Sequence, residues 1–318
     1  MYDPRMDLDY SFNALTRAGL AKDYFLSEKA LLPDAGLELG LNQFSVRNAW
    51  SLAELCRLVY RQEAEELGED FDGLTRQAVL DHVGMQEIAV LKSDQSSTFA
   101  VLVSATDRNG SPCSILVFRG SNEFEDWKHN VLAYQVKAFK GSKVHAGFMR
   151  ALRAIWKDLL LLLKQQQGPL FITGHSLGAA LATLATARLV KNGQVVEACY
   201  VFGSPRVGNK EFTQKLNGVP VYRIENGSDI VTSIPLDVPG IRYTTAGECH
   251  YFDHVGQLHH KVSQKLITTD RIKHGWKLPD LSTFADWTQR IKSLPDHLPP
   301  MLADHAPVNY VVRLERCL

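Results

Sequence analysis

The sequence predicts an α/β fold, with a mostly parallel central sheet covered by helices on both faces. Three observations predict it. Beyond Arg119, short apolar runs alternate with long helical patterns, the rhythm of βαβ units. The runs Pro169–Thr173, Val195–Phe202 and Val219–Glu225 are apolar along most of their length, as strands buried on both faces require. The segment joining the first of these runs to the next helix, TGHSLGAALA, is built of small residues. That composition suits a close strand-to-helix turn.

The elements follow in order. Residues 1–47 are weakly periodic and read as an irregular N-terminal arm packed on the domain; residues 48–318 read as a single domain. Trp50, Leu52, Leu55, Cys56, Val59 and Tyr60 recur at helical spacing. Glu87–Leu91, Thr98–Val103 and Cys113–Phe118 are β-rich, and the Arg108-Asn109-Gly110 turn joins the last two as a hairpin. Leu132–Phe139 reads as a strand, Gly147–Lys164 as an amphipathic helix and Leu177–Val190 as an apolar, Ala-rich helix. Beyond Lys261 the pattern is weak, with helix-like residues over Leu281–Ile291 before the Pro-rich LPDHLPP.

Composition narrows the function. The 318 residues carry 45% hydrophobic and 22% charged side chains, an ordinary globular balance that leaves ample chain for a core and a pocket. Lys+Arg and Asp+Glu are both 35. A nucleic-acid partner would call for a basic excess, so none is expected. The longest purely aliphatic run, Leu159–Leu163, is far too short for a transmembrane segment. Five widely spaced cysteines fit no disulfide framework, and Cys113 and Cys199 lie in apolar runs as small core residues. The N-terminal MYDPRMDLDYSFNAL has no apolar core of a signal peptide. The expected location is therefore the cytoplasm, although export without a signal would leave no mark in the sequence.

Chemistry concentrates in PLFITGHSLGAALATLA, residues 169–185. It contains G-x-S-x-G as Gly174-His175-Ser176-Leu177-Gly178, between an apolar strand and a helix of small residues. This is the context of a nucleophile elbow, which marks the α/β-hydrolase fold. The strained turn pushes the serine Oγ out of the sheet end. The flanking glycines let strand and helix approach, and the helix N-terminus directs N–H groups at a developing oxyanion. Ser176 is the candidate nucleophile.

A serine needs a base held by a third group, and in this fold the partners follow in the order Ser, Asp/Glu, His. VPVYRIENGSDIVTSIP, residues 219–235, runs from a strand into a loop carrying Asp229, the candidate acid; Asp237 is the reserve. Seven histidines follow Asp229. His305, in LADHAPVNYV before a Pro that can open a terminal helix, is the preferred base, with His254 and His297 behind it. The oxyanion hole takes the N–H of Leu177 and a second donor from the end of SILVFRGS, where Ser121 offers N–H and hydroxyl.

With these residues in place, the chain resembles the class 3 lipases, the fungal-type triacylglycerol lipase family that also includes phospholipases A1 and feruloyl esterases. The matching pieces run in family order: NAWSLAELCRLVY (48–60), LVFRGSNEFEDW (116–127), VHAGFMRAL (144–152), FITGHSLGAALATL (171–184), YVFGSPRVGNKEF (200–212), VYRIENGSDIVTSIP (221–235), FDHVG (252–256) and DHAPVNYV (304–311). The resemblance implies Ser176 as nucleophile, Asp229 as acid, His305 as base and oxyanion donors at Ser121 and Leu177. Arg206, Asn209, His145 and His175 match positions read as supports rather than chemistry. Secreted fungal members carry signal peptides and disulfides, which this chain departs from. Where those lipases place a helical lid, the chain has a short segment. In it Phe124, Trp127 and Val131 can form one apolar face, a short lid or a fixed rim of the acyl pocket.

The implied function is a lipase or carboxylesterase acting on acylglycerols or related lipid esters through an acyl-enzyme. The expected partners are a lipid or small ester substrate and transient contact with a lipid–water interface. No cofactor and no metal is needed. Phospholipase A1 or short-chain esterase activity is the alternative, and a lipase-like binding module without catalysis ranks behind both. Cys249, His250, His254, His259 and His260 form a further cluster, but their spacing matches no standard zinc pattern.

Overall fold

The computed structural model describes residues 7–30, 36–61, 73–121, 134–166, 168–275 and 298–318. Its centre is an eight-stranded sheet in the order β1-β2-β3-β6-β7-β8-β9-β10. The strands are β1 (Gln86–Ser93), β2 (Thr98–Thr106), β3 (Pro112–Phe118), β6 (Leu170–His175), β7 (Ala198–Phe202), β8 (Val221–Asn226), β9 (Glu248–Phe252) and β10 (Leu258–His259). From β3 to β9 every neighbouring pair is parallel; β1, β2 and β10 add antiparallel pairs at the two edges. The remaining strands, β4 (Gln135–Lys137) and β5 (Lys143–His145), pair with each other in a separate small sheet. This is the α/β-hydrolase fold that the sequence predicts.

The helices divide between the two faces because strand side chains alternate. On β3, Ile115 and Val117 enter one core while Leu116 and Phe118 enter the other. The first core is covered by α1 (Val46–Leu58) and the terminal α7 (Pro307–Glu315), which pack against each other. The second is covered by α3 (Ala146–Leu163) and α4 (Leu177–Lys191). α4 is buried along nearly all of its length, and its alanines allow that. Further helices include α2 (Arg76–His82), α5 (Gln264–Lys273) and α6 (Pro300–Ala303).

Two segments differ from the sequence expectation. Of the predicted strand Leu132–Phe139, the described residues 134–139 form a strand at Gln135–Lys137, and it joins β5 outside the main sheet. Its alternation records half-burial against α3 rather than a place in the centre. Strand β9 was not anticipated, because its apolar residues Cys249, Tyr251 and Phe252 are interrupted by His250. The helix-like stretch at Leu281–Ile291 lies outside the described residues.

The N-terminal segment packs on the domain through polar anchors. Arg57 and Arg61 of the α1 region are buried and donate to the carbonyls of Ala18 and Gly19 and to Asp23. Asn309 of α7 is bonded to both the N–H and the carbonyl of Asp9. All five thiols are free, four of them buried.

Candidate active site

The site grows from the junction of β6 and α4. Ser176 has φ 59° and ψ −126°, a backbone conformation that costs a non-Gly residue about 1–3 kcal/mol. Its N–H donates to the Phe202 carbonyl at 3.0 Å, and its carbonyl accepts from Ala179 and Ala180. The turn is possible because both flanking residues are glycines. A Cβ on Gly174 would lie 2.3 Å from the Gly178 backbone, and one on Gly178 would lie 2.1 Å from the Phe118 carbonyl oxygen. Leu177 and Gly178 open α4, so their N–H groups have no intrahelical acceptor and face the Ser176 turn.

Ser121 follows β3, which pairs in parallel with β6 up to Phe118↔Gly174. This register carries the Arg119-Gly120-Ser121 turn beside the elbow. A Cβ on Gly120 would lie 3.2 Å from the Ser176 Cβ. The buried Ser121 hydroxyl has no hydrogen-bond partner among the described residues.

Asp229 and His305 are 76 residues apart and are brought into contact, both fully buried. His305 Nδ1 lies 2.8 Å from Asp229 Oδ2 and 2.9 Å from Oδ1. A carboxylate can only accept here, so Nδ1 carries the proton and Nε2 is the basic nitrogen. The Tyr310 hydroxyl donates to Asp229 Oδ2 at 2.6 Å, and the Val231 N–H donates to Oδ1 at 2.9 Å. Burial alone would push the Asp229 carboxyl up. The charge and hydrogen bond of His305, with the Tyr310 hydroxyl and the Arg271 charge, outweigh burial and hold it below the usual carboxylate range. Burial, then the adjacent Asp229 charge, pushes the Tyr310 phenol well up, so it stays a donor.

The pair is tied to the elbow at two points. Gly203 follows Phe202, the residue that receives the Ser176 N–H, and has φ +57°. A Cβ there would lie 2.7 Å from Asp229 Oδ2 and 2.9 Å from the His305 ring. His175 provides the second link. Its Nε2 donates to the His305 carbonyl at 2.7 Å, its Nδ1 lies 3.1 Å from the Tyr60 hydroxyl, and its ring is 4.5 Å from that of His305. Burial, then the neighbouring His305, lowers the His175 pKa to about 3, so this ring is neutral. With both nitrogens engaged, it props His305 rather than acting as a base.

An apolar hollow opens beside Ser176, lined by Phe148, Leu177, Pro205, Val231, Ile234 and Pro235. Its walls are held from behind. His145 caps α3 by accepting the Gly147 N–H at 3.1 Å and packs on Phe148, with ring centroids 4.3 Å apart. Arg206 donates to the carbonyls of Ser233 and Pro235, fixing the loop that follows Asp229. Asn209 accepts from the N–H groups of Phe212 and Lys143.

The reserve candidates lie elsewhere. Asp237 accepts from Arg206 and the Tyr243 N–H, and meets no histidine among the described residues. His254 meets Asp270 and His274. His297 and the lid residues Phe124, Trp127 and Val131 lie outside the described residues. Sequence reasoning missed Tyr310. The available signal was a tyrosine on an otherwise apolar terminal helix, since a buried tyrosine hydroxyl has to find a partner.

Part of the chain is similar to known proteins. Residues 115–238 match the family Lipase (class 3), a span that holds Ser121, Ser176 and Asp229 and ends before His305. A secreted mono- and diacylglycerol lipase 1 of Fusarium solani is 35% identical over 155 residues, covering 44% of each chain. A phospholipase A1-II 1 of Oryza sativa subsp. indica is 40% identical over 85 residues, covering 25% of this chain and 22% of that protein. The chain thus spans less than half the length of these relatives. The crystal structure of the lipase from Rhizopus microsporus var. chinensis shares the fold, with a TM-score of 0.55 over 82% of this chain and 96% of that one, at 20% identity. No described helix is long and apolar enough to cross a membrane. Over residues 115–238 the chain is thus similar to the class 3 lipases, and its fold is the one that the Rhizopus microsporus lipase shares.

Proposed function

We propose that this protein hydrolyses carboxylic esters of lipids, with Ser176 as nucleophile, His305 as general base and Asp229 as the orienting acid. The observation that carries the reading is the buried Asp229–His305 hydrogen bond packed against a serine turn that opens onto an apolar hollow. The matches to a mono- and diacylglycerol lipase and to a phospholipase A1 support a lipid ester as substrate.

The mechanism is two-step acyl transfer. His305 Nε2 takes the proton of Ser176 Oγ as that oxygen attacks the ester carbonyl. The oxyanion is held by the N–H groups of Leu177 and Ser121, each contributing about 10²–10³ in rate. The alcohol departs with the proton from His305, leaving an acyl-serine. Water, deprotonated by His305, attacks the acyl carbonyl, and the carboxylic acid leaves as Ser176 recovers its proton. Asp229 holds the Nδ1–H tautomer and supports the imidazolium formed in each half.

The apolar wall of Phe148, Val231 and Ile234 suits an acyl chain. Contact with a lipid–water interface is part of the reading. The proposed compartment is the cytoplasm, supported by the five free thiols, although the Fusarium relative is named as a secreted lipase.

The test is hydrolysis of p-nitrophenyl esters from C2 to C16, of a triacylglycerol emulsion and of phosphatidylcholine vesicles, with Ser176→Ala alongside. Activity rising with chain length and abolished in the variant supports the lipase reading. Release of fatty acid from phosphatidylcholine but not from triacylglycerol would move the assignment to phospholipase A1. Equal inertness of both proteins on every ester would leave a binding module.

A further inference from the structure

Away from Ser176, the turn between β9 and β10 meets the C-terminal end of α5, and three metal-binding side chains converge there. Asp270 and His274 sit one helical turn apart on α5, on the same face. His254 reaches them from the turn. His254 Nδ1 is 3.5 Å from Asp270 Oδ1, and His274 Nδ1 is 3.2 Å from the same oxygen. All three ligand atoms lie within 4.8 Å of one another.

These separations also match the edges of a small cation's coordination shell. Zinc binds imidazole nitrogen at about 2.0–2.1 Å and carboxylate oxygen at about 2.0–2.2 Å in a tetrahedron. The edge of that tetrahedron is about 3.3 Å, between the two observed distances. His254 Nδ1 is buried and makes no hydrogen bond among the described residues. The two imidazole rings stack with centroids 3.3 Å apart, at 20°. Binding one ion requires the exposed His274 ring to turn out of this stack.

The carboxylate is held ready for this role. Asp270 Oδ2 accepts from the buried Tyr251 hydroxyl at 2.8 Å, leaving Oδ1 toward the imidazoles. Such an outer partner is what orients a metal-ligating carboxylate. His274 Nδ1 also lies 2.8 Å from the Asp270 carbonyl, a contact that binding would give up. That carbonyl keeps the His274 backbone N–H at 3.1 Å, so no acceptor is stranded.

We propose that His254, Asp270 and His274 bind a zinc ion, with solvent as the fourth ligand, and that the ion clamps α5 to the β9–β10 turn. The role is structural. Arg271, the neighbour of Asp270 on α5, donates to the Gly227 carbonyl at 2.7 Å, to Thr232 at 3.0 Å and to Glu225 at 3.1 Å. These residues frame the loop that carries Asp229, so clamping α5 steadies that loop from outside. The sequence cluster of Cys249, His250, His254, His259 and His260 contributes only His254. His250 and His260 pair with each other, and His259 pairs with Asp253.

The test is Zn²⁺ binding to the full-length chain after dialysis against chelator and gel filtration, with His254→Gln, His274→Gln and His259→Gln alongside. Wild type and His259→Gln are expected to retain one zinc per chain, and the other two variants less than a tenth of that. A hundredfold excess of zinc over its dissociation constant should raise Tm by about 3–5 °C in wild type only. Co²⁺ should give the intense visible absorption of a tetrahedral site, lost in His254→Gln. All variants should keep their circular dichroism and esterase rate in chelator, which separates loss of the ion from loss of the fold. Absence of retained zinc in wild type, or equal retention in His254→Gln and His274→Gln, would overturn the proposal.

Discussion

The serine turn and the acid–base pair are built in different ways. The turn is local: strand, glycine, serine, glycine and helix lie in one short run of chain, with Ser176 at φ 59°. The Asp229–His305 pair is assembled over 76 residues, from one loop after β8 and another before α7. It is held by contacts that close on it from several elements: Tyr310, Gly203 and His175. The turn should therefore survive single changes that the pair does not.

The largest effect is expected at the two reacting groups. Ser176→Ala or His305→Ala should each lower kcat by about 10⁶, and the double variant should be no worse than either. An additive double variant, measured on a p-nitrophenyl ester, would break the claim that the two act as a unit. Asp229→Asn should lose about 10⁴ in kcat by stabilising the wrong His305 tautomer, with the fold retained. A loss under tenfold would mean that another group orients the ring.

Gly203→Ala separates the two regions further. The methyl would meet both Asp229 and the His305 ring at a positive φ. We expect a loss of about 2 kcal/mol in stability. We also expect about 10² in kcat from displacement of the pair. Denaturant unfolding and steady-state rates would check this. An unchanged kcat would show that the loops absorb the shift.

Acidification offers a smaller contrast. Asp229 is held below its ordinary range in the folded protein, so its stabilisation is present above the unfolded carboxylate pKa and lost as pH falls through the folded one. Removing the Tyr310 hydroxyl raises that folded pKa. Tyr310→Phe should therefore move acid unfolding to higher pH and cost about 1–3 kcal/mol near neutrality. Part of that cost falls on the Asn226 N–H, which also bonds to the hydroxyl at 3.2 Å. An unshifted acid transition would remove Tyr310 from the account.

The same division explains what could be read from the sequence. The elbow was legible because its chemistry depends on spacing within one segment, and the sheet, β9 apart, because most of its parallel strands are nearly continuous apolar runs. His305 was not singled out by spacing. Several histidines follow Asp229, and motif order, a following Pro that can open a terminal helix and family resemblance favoured the one in the D-H-A-P segment. Tyr310, Gly203 and the His254–Asp270–His274 cluster depend on contacts between distant segments, which leave no periodic trace. Helix α5 was also invisible, because only Ile267 and Arg271 on it are buried and the rest of QKLITTDRIK carries no apolar stripe.

The measurement that tests the central claim most directly is labelling with an alkyl fluorophosphonate, read by peptide mass. The account predicts one adduct per chain, on Ser176, through displacement of fluoride by the serine oxygen, with the labelling rate reduced at least a hundredfold in His305→Ala. An adduct on another residue, or a rate indifferent to His305, would contradict it.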